Sequence, residues 1–155
     1  EEYDGSSWTT SPYSLNVSRN GIVGCGTQTA ALGSGGNTNP PNVSSAAAEE
    51  YNGSSWSNGG TMNTARQDMG ASGIQTDAIV FAGQVVPGSV STATEGYDGT
   101  SWTTLPNVAT ARKQGTGAGT ASAGLLFGGI TATAPSSATE EFTGAALGTK
   151  TVTTS

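Results

Sequence analysis

One eight-residue block recurs along the whole chain and constrains its fold more than any other feature. The block pairs acidic residues with an aromatic residue, a glycine turn and a tryptophan, and it occupies residues 1–8, 49–56 and 95–102, with a degenerate copy at 140–147. Its aromatic residues are about 45 to 48 positions apart. Two other blocks keep this spacing: one ends at Arg19, Arg66 and Arg112, and the other is a run of small or apolar residues at 30–36, 78–83 and 124–129. Three separate blocks with one period indicate an internal structural repeat.

One period, read along residues 64–104, predicts four strands. Residues 67–73 are small enough for a crowded inner strand, and the apolar run 78–81 is typical of a strand buried on both faces. The next segment contains Pro87, which cannot donate to a strand ladder and indicates a loop. Residues 92–97 and 100–103 then predict the third and fourth strands, joined by a two-residue type I′ turn at Asp98-Gly99. Each repeat is therefore predicted to be a four-stranded antiparallel meander.

Meanders repeated every 40 to 50 residues are typical of β-propeller blades, so the sequence predicts an all-β propeller fold with repeats of about 46 residues. A single sheet of this kind cannot cover its own faces, and neighbouring blades must bury them. We expect Trp8, Trp56 and Trp102 to supply most of that burial. The other aromatic residues of the repeat, also expected to be structural, are Tyr3, Tyr51 and Tyr97.

The chain of 155 residues holds about 3.4 repeats in a single repeat domain. The predicted divisions are a partial blade at 1–10, blades at 17–57 and 64–104, and a C-terminal blade at 110–155. Closed propellers need about four to eight blades, and both ends of this chain supply outer strands. We therefore expect inner strands, and whole blades of a larger propeller, upstream of Glu1. The alternative is that open strand edges pair with other copies in an assembly.

The repeats resemble the kelch repeat. Residues 125–129 form an apolar strand ending in Gly-Gly, and Tyr97, Trp102, Leu105-Pro106 and Arg112 follow the kelch order of residues. The amino-acid sequences of segments 49–56, 63–66 and 26–32 also resemble those of a narrower group, the Gly/Thr-rich kelch-like proteins of bacteriophages that infect marine and freshwater bacteria. This resemblance implies a structural protein of the virion or its tail. The repeats depart from the pattern at residues 33–36, at Ala82 and at Leu147.

Composition excludes several kinds of chemistry. The chain has no His and one Cys, so His-based triads and most metal sites are excluded. With five Lys and Arg residues and a net charge of −6, it lacks the basic surface that nucleic acids require. No apolar run reaches the length of a membrane helix. We expect no catalytic residues, no metal, no cofactor, no nucleic-acid partner and no membrane insertion.

The recurring charged residues are predicted to be structural. Adjacent residues of a strand point to opposite faces, so Glu49 and Glu50 cannot share a reacting atom. We expect the first Glu of each pair, such as Glu49 and Glu95, to form an ion pair with the repeat's Arg in its own or a neighbouring blade. Cys25 is matched by small residues in the other repeats and is predicted to be a buried small side chain.

The segments between the second and third strands, at 37–45, 84–91 and 131–137, differ in sequence while the strands keep their pattern. Loops held on a rigid scaffold often carry recognition. The candidate binding residues are therefore Asn39, Pro40, Pro41, Asn42, Val85, Val86 and Pro87. Their Ser, Thr and Asn-rich surroundings would suit host polysaccharide, although plain connectors are the alternative.

We thus expect a non-enzymatic structural or binding protein of a phage virion, in a tail, fibre or decoration component. Its partners would be other virion proteins or copies of itself, with host surface glycan as a ligand. Two alternatives stay open from the sequence: an extracellular adhesion module on a bacterial surface, and a subunit that assembles into filaments.

Overall fold

The structure is a computed structural model that describes residues 1–144 and 150–154, the latter as backbone only. This part of the chain is all-β, contains no helix, and pairs its strands antiparallel throughout. None of these residues belongs to an apolar helix of membrane-spanning length.

Three four-stranded sheets follow one another along the chain. A short hairpin of β1 (Glu2–Tyr3) and β2 (Trp8–Thr9) comes first. Sheet 1 contains β3 (Val23–Thr27), β4 (Ala30–Ser34), β7 (Ala47–Tyr51) and β8 (Trp56–Thr61), with a small hairpin of β5 (Asn37–Thr38) and β6 (Val43–Ser44) between its middle strands. Sheet 2 contains β9 (Gly70–Ile74), β10 (Asp77–Phe81), β11 (Thr94–Tyr97) and β12 (Trp102–Leu105). Sheet 3 contains β13 (Thr116–Gly119), β14 (Ala123–Phe127), β15 (Thr139–Gly144) and β16 (Lys150–Thr154).

In all three sheets the strands lie side by side in chain order, as predicted for a meander. In sheet 2, for example, Val80 of β10 is opposite Ala71 on one side and Glu95 on the other. In sheet 2 the strands begin one to three residues away from their predicted first residues. The predicted Trp counterpart at Leu147 lies outside the described residues.

The predicted type I′ turn at Asp98-Gly99 is wrong. Tyr97 pairs with Trp102, so four residues connect the strands rather than two. Only Gly99 has a positive φ, at 90°. Asp98 instead caps the turn, because its Oδ1 accepts hydrogen bonds from the backbone N–H of Thr100 at 2.8 Å and of Ser101 at 2.7 Å. An Asx turn of this kind satisfies the loop's donors without the left-handed conformation that type I′ demands at both positions.

The inner strands of the three sheets contact one another, with β9 lying between β3 and β13. This approach is so close that a Cβ on Gly117 would lie 2.1 Å from the backbone oxygen of Ala71. The buried residues form two clusters rather than one core. The first, between sheets 1 and 2, includes Leu32, Val80 and Trp102, and the second, between sheets 2 and 3, includes Phe81 and Phe142.

The three tryptophans do not supply most of the burial. Trp102 is 8% exposed and Trp56 is half-buried, but Trp8 is 68% exposed because none of the described sheets lies against its side of the first hairpin. Each Trp packs on the Tyr of its own hairpin, with ring centroids 4.8 to 5.2 Å apart. The aliphatic residues of β10 and the rings of Phe81 and Phe142 pack between the sheets, alongside Trp102.

Candidate binding face

The predicted Glu–Arg ion pairs are present, and each lies within a single sheet and the segment that leads into it. The Arg Nη2 to Glu Oε1 distances are 2.7 Å for Arg19–Glu49, 2.9 Å for Arg66–Glu95 and 3.1 Å for Arg112–Glu140. All six side chains are at least nine-tenths buried. The pairs recur in each sheet and are closed to solvent, as is typical of ion pairs that hold a scaffold together.

Two of these arginines, Arg19 and Arg66, also hold the ends of variable loops. Arg66 Nη1 donates to the carbonyl oxygens of Ala82 at 2.5 Å and Ala93 at 2.6 Å, which flank the loop at 84–91. Arg19 Nη1 bonds in the same way to the carbonyls of Gly35 and Ala47, on either side of the loop at 37–45. Burial lowers the pKa of the Arg66 guanidinium, and Glu95 opposes that shift. A buried guanidinium thus fixes the spacing of the two ends of the loops at 37–45 and 84–91.

A backbone ladder crosses the three sheets beside these loops. Its members are Gly21, Asp68 and Gln114, two residues after each repeat arginine, and all have a left-handed φ between 54° and 59°. The N–H of Asp68 donates to the oxygen of Gly21 at 2.9 Å, and the N–H of Gln114 donates to the oxygen of Asp68 at 2.7 Å. Left-handed φ is costly for Asp and Gln, and such strain often marks functional positions.

The structure brings two of the predicted loops together. Asn39, Pro40, Pro41 and Asn42 form the exposed tip between β5 and β6. In the next loop Val85 and Pro87 are exposed, and the Val86 N–H donates to Ser44 Oγ at 2.8 Å. The third repeat reaches this pair of loops through Lys113, whose Nζ donates to Gln84 Oε1 at 2.9 Å.

Sequence reasoning missed the polar residues that directly follow the arginines. Gln67 and Asp68 lie beside each other, with Gln67 Nε2 donating to Asp68 Oδ2 at 3.2 Å, and Lys113 and Gln114 occupy the same place in the next repeat. Within the described residues, the buried Oε1 of Gln67 has no hydrogen-bond partner. The available signal was positional: a polar or glycine pair follows the arginine in every repeat.

We define the binding face as the loops at 37–45 and 84–91 together with the ladder and its neighbours, Gln67, Asp68, Lys113 and Gln114. It offers amides, hydroxyls and backbone groups, with one carboxylate and one ammonium group. Across residues 1–144, no three potential metal ligands of the His, Cys, Asp or Glu type cluster together. Such a set can hydrogen-bond to a polar, uncharged ligand.

Cys25 lies on β3, which contacts β9. It is half-buried rather than fully buried, and its Sγ is 3.9 Å from the backbone oxygen of Ile74. Desolvation raises the pKa of the thiol to about 11, so it is protonated at neutral pH. The side chain packs between two inner strands, as a small apolar residue would.

Comparison with known proteins supports the fold alone. No protein-family model and no curated protein matches the chain. A solved structure titled "Structure of YjhT" superposes with a TM-score of 0.76 at 16% sequence identity, covering 90% of this chain and 47% of that one. The chain therefore spans about half the length of that structure and shares its all-β arrangement of antiparallel sheets.

Proposed function

We propose that the three sheets and the first hairpin are blades of a kelch-like β-propeller. Support comes from the repeat of about 46 residues, from the strand order within each sheet, and from the inner strand β9 lying between β3 and β13. The likeness to the structure of YjhT, which is about twice as long, agrees with a part of a larger ring.

We further propose that the protein is a non-catalytic binding protein whose ligand is a neutral polysaccharide. The observation that carries this proposal is the meeting of two variable loops and the strained ladder on one face, held from beneath by buried Arg–Glu pairs. A rigid array of amide and hydroxyl groups matches the donors and acceptors of sugar hydroxyls. The setting that we propose is a phage virion, where such a face would contact host surface glycan. That setting rests on the resemblance of the repeats.

The test is binding to a panel of neutral polysaccharides by affinity electrophoresis. We expect retardation of the parent protein, lost on exchanging residues 39–42 for Gly and Ser and weakened about tenfold by Gln114→Ala, the cost of one or two hydrogen bonds. Thr100→Ala is the matched control, because Thr100 is exposed in a turn at the opposite end of the strands. Absence of binding to every polysaccharide, or equal binding by all variants, would contradict the proposal.

The proposed setting has its own test. Mass spectrometry of purified virus particles whose genome encodes this chain should detect its peptides at a level comparable with other tail proteins. Detection only in the soluble fraction of infected cells would argue against a virion component.

A further inference from the structure

Two equivalent amide side chains, Asn37 and Gln84, begin the variable loops at 37–45 and 84–91. Each uses its NH2 group to hold its own loop. Asn37 Nδ2 donates to Asn42 Oδ1 at 2.7 Å, and Gln84 Nε2 donates to the backbone oxygen of Gly88 at 3.1 Å. The oxygen of each amide is therefore left to accept a hydrogen bond from another part of the protein or from a ligand.

Both amides meet the following repeat through matching backbone contacts. Gly36, which precedes the first amide, donates its N–H to the Arg66 oxygen at 2.9 Å. Gly83, which precedes the second amide, donates its N–H to the Arg112 oxygen at 2.8 Å. The residue that follows each arginine is thus brought beside the amide of the preceding repeat.

At the second loop this neighbouring residue is a lysine. Lys113 Nζ donates to Gln84 Oε1 at 2.9 Å, so an ammonium group of the protein itself occupies the amide oxygen. The residue after the lysine, Gln114, carries no charge. The acceptor of the second loop is therefore satisfied from within the chain.

At the first loop the neighbouring residue is Gln67, which brings no cation. A Cβ on Gly21 would lie 3.3 Å from Gln67 Cβ and 2.8 Å from Asp68 Oδ1, so both side chains lie against the start of sheet 1. Asn37 is only 4% exposed. Among the residues that the structure describes, none donates a hydrogen bond to the buried Oδ1 of Asn37 or to the buried Oε1 of Gln67. Buried acceptors without a donor are rare in native proteins.

A carboxylate accompanies these two amide oxygens. Gln67 Nε2 donates to Asp68 Oδ2 at 3.2 Å, which keeps the carboxylate beside the amide. The second loop, where Lys113 supplies the ammonium, has the neutral Gln114 at the corresponding position. The negative charge is thus found where the chain provides no cation, and a carboxylate with amide oxygens favours the N–H donors of a cation.

We propose that Asn37, Gln67 and Asp68 bind a primary ammonium group of a ligand, at the position that corresponds to the ammonium of Lys113. The fitting class of ligand is an amino sugar without an acetyl group, whose N–H donors reach the two amide oxygens and the carboxylate. Gln67 is only half-buried and gives access to the site, and the exposed Asn42 lies beside it to bond to sugar hydroxyls. This inference goes beyond the binding of neutral polysaccharide, because it assigns a charged ligand group to one position of the binding face.

NMR spectra of the isotope-labelled full chain test the site through its side-chain amide signals. Glucosamine hydrochloride is the probe, and N-acetylglucosamine is the matched control, since it has the same ring without the charge. Sodium chloride keeps the ionic strength constant. We expect glucosamine to shift the side-chain signals of Asn37 and Gln67 in a saturable manner, and N-acetylglucosamine to leave them unchanged.

Exchanging residues between the two loops provides the decisive variants. Gln67→Lys should abolish the response of Asn37 to glucosamine, because the new ammonium occupies its oxygen as Lys113 occupies that of Gln84. The double variant Lys113→Gln/Gln114→Asp should transfer the site, so that the side-chain signal of Gln84 responds to glucosamine. The melting temperature of Gln67→Lys should equal or exceed that of the parent, which excludes misfolding.

The contribution of the carboxylate is measured in the same titration. Asp68→Asn should raise the dissociation constant for glucosamine about tenfold, as for the loss of a charge-assisted hydrogen bond. Asp77→Asn, which removes an exposed carboxylate on β10, is the control and should bind glucosamine as the parent does.

Four results would overturn the proposal. Equal shifts with N-acetylglucosamine would mean that a neutral sugar is bound, and equal shifts with potassium chloride would mean that a metal ion is bound. The absence of any shift with glucosamine, or an unchanged response in Gln67→Lys, would show that these oxygens bind no ammonium group. Because the probe is a free monosaccharide, none of these outcomes depends on whether the protein binds polysaccharide.

Discussion

Arg66 and Glu95 form the most buried of the three ion pairs, with Nη2 2.9 Å from Oε1 and side-chain exposures of 0% and 1%. Glu95 also accepts hydrogen bonds from the backbone N–H groups of Asn63 and Thr64 at 2.6 Å and 3.2 Å. The pair thus joins three segments: the approach to β9, the end of β10 and the strand β11. Such a pair contributes more to a unique arrangement of strands than to net stability.

Replacing Arg66 with Met should lower the free energy of unfolding by about 3–5 kcal/mol, because the Glu95 carboxylate would be left buried without its counter-charge. Chemical denaturation measures this loss. The double variant Arg66→Met/Glu95→Gln should recover part of it, since Gln keeps an oxygen acceptor for the Asn63 and Thr64 N–H groups. Lys113→Met, which removes a cation outside the ion pairs, is the control. An Arg66→Met protein as stable as the parent would show that the pair is dispensable.

Acid should destabilise the protein through Glu49. Desolvation alone would raise the pKa of this carboxyl, but hydrogen bonds from Asn16 and Arg19 outweigh it and hold the pKa below its ordinary value of 4.5. Because the folded pKa is the lower one, the stabilisation is complete above pH 4.5 and is lost as the pH falls through the folded value. Unfolding free energies measured at decreasing pH should therefore fall less steeply for Glu49→Gln than for the parent. Parallel curves would refute this assignment.

The tryptophans should differ in their effect on stability, although they hold equivalent positions. Trp102→Ala should cost about 3–5 kcal/mol because it opens a cavity between sheets 1 and 2. Trp8→Ala removes a ring that is 68% exposed, so only its stacking on Tyr3 is lost, at most about 1.5 kcal/mol. Thermal and urea denaturation of both variants provides the comparison. Equal losses would mean that the first hairpin is covered in solution.

The turn after β11 should depend on an acceptor rather than on a charge. Hydrogen bonds from the Ser101 and Thr100 N–H groups lower the pKa of Asp98. At the same place in sheet 1, Asn52 Oδ1 accepts from Ser54 N and Ser55 N at 2.9 Å each. Asp98→Asn should therefore keep the melting temperature of the parent, and Asp98→Ala should lower it by about 2–4 °C. If both variants melt alike, the cap does not hold the turn.

Gly117 should tolerate no side chain. A Cβ there would meet the backbone of Ala71, which belongs to another strand and cannot turn aside. Gly117→Ala should destabilise by about 1–3 kcal/mol or more through this overpacking. Gly24→Ala is the matched control: this inner-strand glycine has an ordinary φ and one near atom, the Leu32 oxygen at 3.3 Å. Circular dichroism during thermal unfolding separates the two.

The repeat made the strands and the ion pairs predictable, since every copy of Glu49 and Arg19 keeps its spacing. Burial was less predictable, because it depends on what lies against each sheet. Trp8 and Trp102 have the same local sequence and differ only in whether another sheet covers them. The turn at Asp98 was mispredicted because an Asp-Gly pair suits both a two-residue turn and a side-chain cap.

The candidate face was predictable only in part. Loop variability indicated Asn39–Asn42 and Val85–Pro87 as positions, but it could not show that Val86 and Ser44 are hydrogen-bonded. The three ladder positions, Gly21, Asp68 and Gln114, carry three different residue types, so a sequence motif could not have predicted the ladder. Its shared property is a backbone conformation, which only coordinates reveal.

Both partners of each Arg–Glu pair belong to one sheet and the segment that leads into it. This affects how the number of repeats can change during evolution. A duplication or deletion that adds or removes a whole period carries both partners of the pair with it. Such an event leaves no buried charge without its partner. Only contacts between neighbouring sheets, such as the hydrogen bond from Tyr97 Oη to Glu50 Oε1 at 2.7 Å, must be matched again. A chain of this kind can therefore change its number of units in a single genetic step without losing a buried ion pair.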